Sequence, residues 1–291
     1  MNKITRNMIK GDWAVAYRKK QDLLTYDEPF IPINNTKEYW FADPLFFEYD
    51  GKDYLFVEAY NKTKKRGELG VFLIEDGKAK DYQTIISEDY HLSYPFVFEY
   101  ENSIYMIPES GANMTLDLYK ATSFPYKWEK VKSLLTNIKV ADPTIYEYEN
   151  TLYLILQDLS VKATNYNLYK LDMVNCELEK INSFDYQYDV GRPGGKVFKH
   201  KDLILRPAQN CKDIYGGGLL FYKINQLEPN YEEELYGEID NSKVQILGRN
   251  KLGVNRVHTY SQTQNYEVID YMIHHFDAFG IFKKIIKKMR G

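Results

Sequence analysis

The sequence predicts an all-β fold, a five-bladed β-propeller closed by an N-terminal strand. Three observations predict it. One strand-rich motif occurs five times, four of the copies carry a proline at a spacing of roughly 50 residues, and turn residues sit in the middle of most copies. A period of that length suits a blade of four short strands.

The first copy runs Ala42-Asp43-Pro44 through Tyr49, turns on Asp50-Gly51 and returns to Glu58. The second runs Ser93-Tyr94-Pro95 to Glu109, turning on Glu101-Asn102. The third runs Ala141-Asp142-Pro143 to Gln157, turning on Glu149-Asn150. A degraded fourth spans Gly191-Arg192-Pro193 to Arg206 with its turn on Lys201-Asp202, and the weakest spans Val257-His258 to Asp270. Apolar alternation either side of such turn pairs is the hairpin signature. Further strands are expected at Glu68–Ile74, Leu116–Ala121, Asn167–Leu171 and Leu219–Ile224, with turn-rich linkers such as Phe124-Pro125-Tyr126 between them and the next hairpin. Trp13–Arg18 reads as an outer strand ahead of the first hairpin. It is placed to complete the last blade and hide two sheet edges. The propeller is assigned to residues 1–271 and a separate tail to 272–291.

Bulk composition agrees. The chain has 291 residues and is 44% hydrophobic, enough to bury a real core, and its 27 Tyr suit half-buried strands. A net charge of −3 gives no global basic field, so a nucleic-acid partner is not expected. Cys176 and Cys211 stand alone, without CxxC or His/Cys spacing, so neither a disulfide scaffold nor a metal site is expected. No cofactor motif stands out. The reduced cysteines and the polar N-terminus point to the cytoplasm.

The innermost strands of a propeller deliver side chains to one central funnel. The positions at the prolines are Asp43, Tyr94, Asp142, Arg192 and, by offset, His258. A second ring comes from the ends of the returning strands: Glu58, Glu109, Gln157 and Arg206. A lone Asp-Pro is as readily a turn residue as a functional one, but turn chemistry does not ask for Arg at the equivalent place. Paired carboxylates can drive their pKa values apart and serve as acid and base, as sugar chemistry requires. Arg192 and Arg206 suit a phosphate or carboxylate, with Gln209 adding an amide donor and Tyr215-Gly216-Gly217-Gly218 a loop open to a diphosphate. Trp40 offers an aromatic face, and His91 and His258 are histidines of the kind that can titrate near neutrality beside a carboxylate, whereas His200 falls at a solvated hairpin tip.

Six segments carry a resemblance: Trp40 to Pro44, His91 to Phe96, Met106 to Ser110, Phe124 to Trp128, Ala141 to Pro143 and Arg206 to Gln209. Together they resemble the propeller family named after the N-terminal region of plant glucosamine inositolphosphorylceramide transferase. The resemblance implies a stand-alone bacterial member working in cell-surface polysaccharide synthesis, such as capsule or O-antigen. It also implies a fold similar to five-bladed fructosidase and arabinanase-type glycosidases, whose three funnel acids carry over onto Asp43, Glu109 and Asp142. Tyr94 stands where the second-blade motif of those enzymes offers an acid.

The expected function is therefore glycosyl transfer from a sugar nucleotide or lipid-linked saccharide. Asp43, Glu109 and Asp142 would do the chemistry, and Trp40, Glu58, His91, Tyr94, Arg192, Arg206, Gln209 and His258 would bind. Hydrolysis by the same acids, or glycan binding without catalysis, are the alternatives. In the tail, Phe279, Phe282, Ile285, Ile286 and Met289 fall at helical spacing among Lys283, Lys284, Lys287, Lys288 and Arg290. Such a basic amphipathic helix suits an anionic membrane surface, placing the protein on the inner face of the membrane.

Overall fold

The computed structural model describes residues 9–249 and 253–276. Two N-terminal strands, β1 (Ile9–Lys19) and β2 (Ile31–Ile33), precede the first complete blade, β3 (Tyr39–Tyr49), β4 (Lys52–Asn61), β5 (Arg66–Glu75) and β6 (Lys78–Ile86). Blade 2 is β7 (Ser93–Tyr100), β8 (Ser103–Glu109), β9 (Thr115–Ser123) and β10 (Lys127–Thr136). Blade 3 is β11 (Val140–Tyr148), β12 (Thr151–Asp158), β13 (Asn165–Asp172) and β14 (Glu177–Asp185). Blade 4 is β15 (Phe198–His200), β16 (Leu203–Gln209), β17 (Leu219–Gln226) and β18 (Glu232–Glu238). The fifth is shared between the chain ends, in the order β19 (Tyr260–Gln262), β20 (Tyr266–Phe276), β1, β2. The expected N-terminal closure is thus present, made by two strands. The last strand continues to Phe276, past the boundary expected at 271. The helix expected from Phe279 to Met289 lies outside the described residues. No helix among the described residues is long and apolar enough to cross a membrane.

The larger hydrophobic clusters fill the seams between neighbouring blades. Leu116 and Leu118 of blade 2 pack with Leu154 and Leu156 of blade 3. Phe47 and Phe56 of blade 1 meet Val97 and Met106 of blade 2, and Val15 and Val268 of blade 5 meet Phe46 and Leu55 of blade 1. Strand alternation makes this possible, because successive side chains serve the two neighbouring seams. The fourth strands are different: β6, β10, β14 and β18 are mostly exposed or half-exposed and rich in charge. Such polar edges resist further pairing, and for that reason they look like linkers in the sequence.

The three clear hairpins turn as expected. Asp50 and Gly51, Glu101 and Asn102, and Glu149 and Asn150 all adopt positive φ, as two-residue I′ turns demand. The prolines have a more specific role. Ala42 pairs with Glu58 and Leu45 with Phe56, so Asp43 and Pro44 together oppose Val57 alone. The same two-against-one break occurs at Tyr94-Pro95 and Asp142-Pro143. These are β-bulges, which tolerate a proline because no ladder bond is asked of its missing N–H. The residue ahead of each proline is held left-handed, with φ of 47° at Asp43, 48° at Tyr94 and 49° at Asp142. That conformation costs roughly 1–3 kcal/mol for a non-glycine residue and is characteristic of functional or switch positions.

Candidate functional site

The bulges shape the site. Each frees one backbone N–H from its ladder, and each freed N–H donates to a carboxylate of the preceding blade. Asp43 donates to Asp270 Oδ2 at 3.2 Å, Tyr94 to Asp43 Oδ2 at 3.1 Å, and Asp142 to Glu109 Oε2 at 3.1 Å. Three funnel acids are thereby oriented by the main chain of their neighbours.

The centre contains two charge groups. In one, the Arg192 guanidinium bonds Asp142 Oδ2 through Nε and reaches Glu109 Oε2 at 3.3 Å. Gln209 Nε2 donates to the same Asp142 oxygen at 2.6 Å. In the other, the His258 imidazole has Nδ1 2.5 Å from Asp270 Oδ2 and Nε2 3.4 Å from Asp43 Oδ1. Trp13 stacks on the imidazole at 3.9 Å, and Thr259 Oγ1 donates to Asp43 Oδ1 at 3.2 Å. Burial opposes charge on His258, but Asp270 and Asp43 outweigh it and raise its pKa.

Burial separates the acids. It raises Glu109 to about 8, with Asp142 adding and Arg192 opposing. It raises Asp43 to about 6, with His258 opposing and Asp142 and Asp270 adding. Glu58 is pushed well above the usual range by burial and by Asp43 and Glu109, and its Oε1 has no hydrogen-bond donor. Near pH 7, Asp43 is mainly ionised while Glu109 is mainly protonated. Acid and base are therefore both present in one funnel.

Access is uneven. The side chains of Asp142 and Asp43 are 2% and 7% exposed and form the floor, whereas Arg192 and Glu109 are 14% and 18% exposed. Tyr215 stands above them, 44% exposed, its ring 5.3 Å from the Arg192 guanidinium and edge-on to His258 at 5.4 Å. His91 belongs to the rim: its Nδ1 accepts from Gly67 N–H at 2.8 Å and its Nε2 lies 3.5 Å from Glu58 Oε1. Trp40 stacks on Tyr60 at 4.5 Å, and Tyr60 leads on to His91.

Two expected binding residues are placed otherwise. Tyr94 is fully buried, its hydroxyl bonded to Thr144 Oγ1 and accepting from Gly195 N–H, each at 2.8 Å. It ties blade 2 to blades 3 and 4. Arg206 does not reach the funnel. Its guanidinium bonds Glu233 twice, at 2.8 and 2.5 Å, and the Gly191 carbonyl at 2.9 Å, with no exposure. The returning strand of blade 4 ends at Gln209, whose N–H donates to the Arg192 carbonyl, so Gln209 takes the place beside Glu58, Glu109 and Gln157. Three residues apart on a strand, Arg206 and Gln209 face opposite sides.

Sequence reasoning missed Asp270 as a partner, Tyr215 as a wall and Glu233 as the counter-ion of Arg206. An acid between Ile269 and Tyr271 in an apolar run was the available signal for the first. Asp43, His258 and Asp270 also bring three ligand-type atoms within 4.8 Å of one another. Asp270 Oδ1 already accepts two backbone N–H bonds, from His258 and Thr259, and Thr259 and Tyr94 fill Asp43. That donor set fits an imidazole held between two carboxylates better than a metal ion.

A family model described as Glucosamine inositolphosphorylceramide transferase 1, N-terminal, matches residues 30–272. The rice (Oryza sativa subsp. indica) protein named Glucosamine inositolphosphorylceramide transferase 1 is 30% identical over 203 residues, 66% of this chain and 27% of its own length. Its Arabidopsis thaliana namesake is 28% identical over 218 residues, 68% of this chain and again 27% of its own. The chain thus spans about a quarter of the length of these relatives. Among solved structures, a compost-metagenome GH43 β-xylosidase/α-arabinofuranosidase superposes with a TM-score of 0.58 at 10% identity, over 87% of this chain and 94% of that one. A GH62 hydrolase bound to xylotriose gives 0.55 at 12% identity, over 84% and 95%. Likeness at that identity speaks for the fold.

Proposed function

From the premise that this chain belongs to the glucosamine inositolphosphorylceramide transferase 1 N-terminal family, we propose that its propeller is a glycosyl-transfer site for a phosphorylated sugar. The observation that carries the reading is the Arg192 guanidinium, set between Glu109 and Asp142 beneath the exposed Tyr215. A fixed planar cation suits a diphosphate leaving group, and an aromatic face beside it suits a sugar ring. In this reading an acceptor hydroxyl oxygen attacks the anomeric carbon and passes its proton to the Asp43 carboxylate. The bond from anomeric carbon to phosphate oxygen breaks, and the leaving phosphate takes the Glu109 proton beside Arg192. Asp142, held by Arg192 and Gln209, orients the sugar. The names of the relatives support a transferase over other glycan chemistry.

A second reading, hydrolysis, is favoured by one observation. Glu109 at about 8 and Asp43 at about 6 form an acid–base pair that needs no phosphate. A panel of sugar nucleotides and lipid-diphosphate sugars, assayed for binding and for transfer, tests the proposal. Binding lost in Arg192→Ala supports it. No binding to any member, with free sugar released from oligosaccharides, would move the assignment to hydrolysis. A surface-polysaccharide role and docking of the C-terminal tail on an anionic membrane remain part of the same proposal, read out by vesicle sedimentation of the full chain.

A further inference from the structure

At the other end of the blade 1 hairpin, away from the bulges, a half-open cleft of about 480 Å³ lies where blades 5 and 1 meet. Its wall includes Lys19, Lys52, Asp53, Glu75, Asn265 and Tyr266. Asp53 is anomalous there. It is only 6% exposed, its Oδ2 accepts from Asn265 Nδ2 at 3.2 Å, and its Oδ1 has no donor at all. The repeat shows what the fold itself asks for at that position. Asp53 pairs with Glu48 on the first strand; the matching pairs are Glu99 with Ile104 in blade 2 and Glu147 with Leu152 in blade 3. Ile104 and Leu152 are buried aliphatic residues. Blade 1 has therefore exchanged an apolar seam residue for a buried carboxylate with an unmet acceptor, at a cost to stability. A local rule broken without compensation inside the fold marks a functional position.

We propose that this cleft is a second saccharide-binding site, at the opposite end of the propeller from the funnel. The wall mixes charge: Lys19 and Lys52 disfavour a bare cation, while Asp53 and Glu75 disfavour an anion. A neutral polyol satisfies both, because its hydroxyls donate to the Asp53 and Glu75 carboxylates or accept from a lysine ammonium or the Asn265 amide. The half-buried Tyr266 ring supplies the apolar face, and the volume is that of an ordinary ligand site. Only the choice of saccharide leans on the glycan reading of the funnel; the cleft and its unmet acceptor do not.

Saturation-transfer NMR with xylotriose, cellotriose, maltotriose and β-1,3-galactotriose tests the site in the full chain. Three proteins are compared: the parent, Asp53→Leu, which installs the blade 3 residue, and the paired exposed changes Lys19→Ala with Lys52→Ala. At least one trisaccharide should bind the parent, and both variants should bind it at least about tenfold more weakly. Asp53→Leu should melt at or above the parent temperature and keep any turnover that the funnel supports. Failure of every trisaccharide to bind, binding unchanged in the variants, or a lower melting temperature for Asp53→Leu overturns the proposal. The funnel reading is judged separately, by the effect of Arg192→Ala on donor binding.

Discussion

The backbone N–H of Asp142 donates to Glu109 Oε2 at 3.1 Å, so blade 3 fixes the carboxyl of blade 2 before any ligand arrives. Glu109→Gln keeps an acceptor for that bond while removing the titratable proton. We expect the variant to fold with a melting temperature close to the parent and to lose about 10²–10⁴ in kcat, the usual contribution of a positioned acid. Loss of activity with a collapse of thermal stability would instead make Glu109 a seam residue.

The pH dependence follows from the two acids. Asp43 must be ionised, so activity rises through about pH 6; Glu109 must be protonated, so it falls through about pH 8. A bell with its maximum between those values is expected in kcat/KM, its limbs belonging to the coupled pair. Glu109→Gln should remove the alkaline limb. Stability runs the other way from a salt-bridged acid: with Glu109 raised in the folded state, its protonation adds stability as pH falls from about 8 towards the unfolded carboxyl range.

Arg192 and Arg206 should separate cleanly. Arg206→Ala leaves Glu233 buried and unpaired, and should cost ~3–5 kcal/mol in denaturant unfolding, with donor affinity unchanged in whatever fraction stays folded. Arg192→Lys keeps the charge but loses the planar fork. It should weaken donor binding by at least about tenfold with a smaller loss of stability.

Tyr215→Ala removes a ring that no seam depends on. We expect KM for the sugar substrate to rise about tenfold, with kcat reduced less and the melting temperature unchanged. Tyr215→Phe should retain most of the affinity if stacking is its contribution, and lose it if the hydroxyl is.

The first three hairpins are legible in sequence because their signals are local: alternation, Asp-Gly or Glu-Asn turns, and a proline at a fixed offset. The proline spacing also located Asp43, Asp142 and Arg192. What it did not disclose is that Pro44, Pro95 and Pro143 mark bulges, since a two-against-one register exists only relative to the partner strand. Pairing likewise decides between Arg206 and Gln209. The sequence ends the returning strand at Arg206; in the fold it runs on to Gln209, whose N–H meets the Arg192 carbonyl, while Arg206 turns to Glu233. Strand β10 was hidden by its polarity, the very property that suits it to an edge. Asp270 closes the degraded fifth repeat, whose offset suggests His258 but does not set Asp270 beside it.

The closure of blade 5 fixes the order in which this molecule can become competent. Every pair between β1 and β20, from Ile9 with Phe276 to Lys19 with Tyr266, joins opposite ends of the chain, and contacts of such high order form late. The same segment brings His258 and Asp270 to the funnel, and Asp270 is the acceptor for the bulge N–H of Asp43. A nascent chain whose first four blades have folded thus carries Asp43, Glu109 and Arg192 without the imidazole and carboxylate that complete their electrostatics. Closing the ring therefore completes the charge pattern of the funnel.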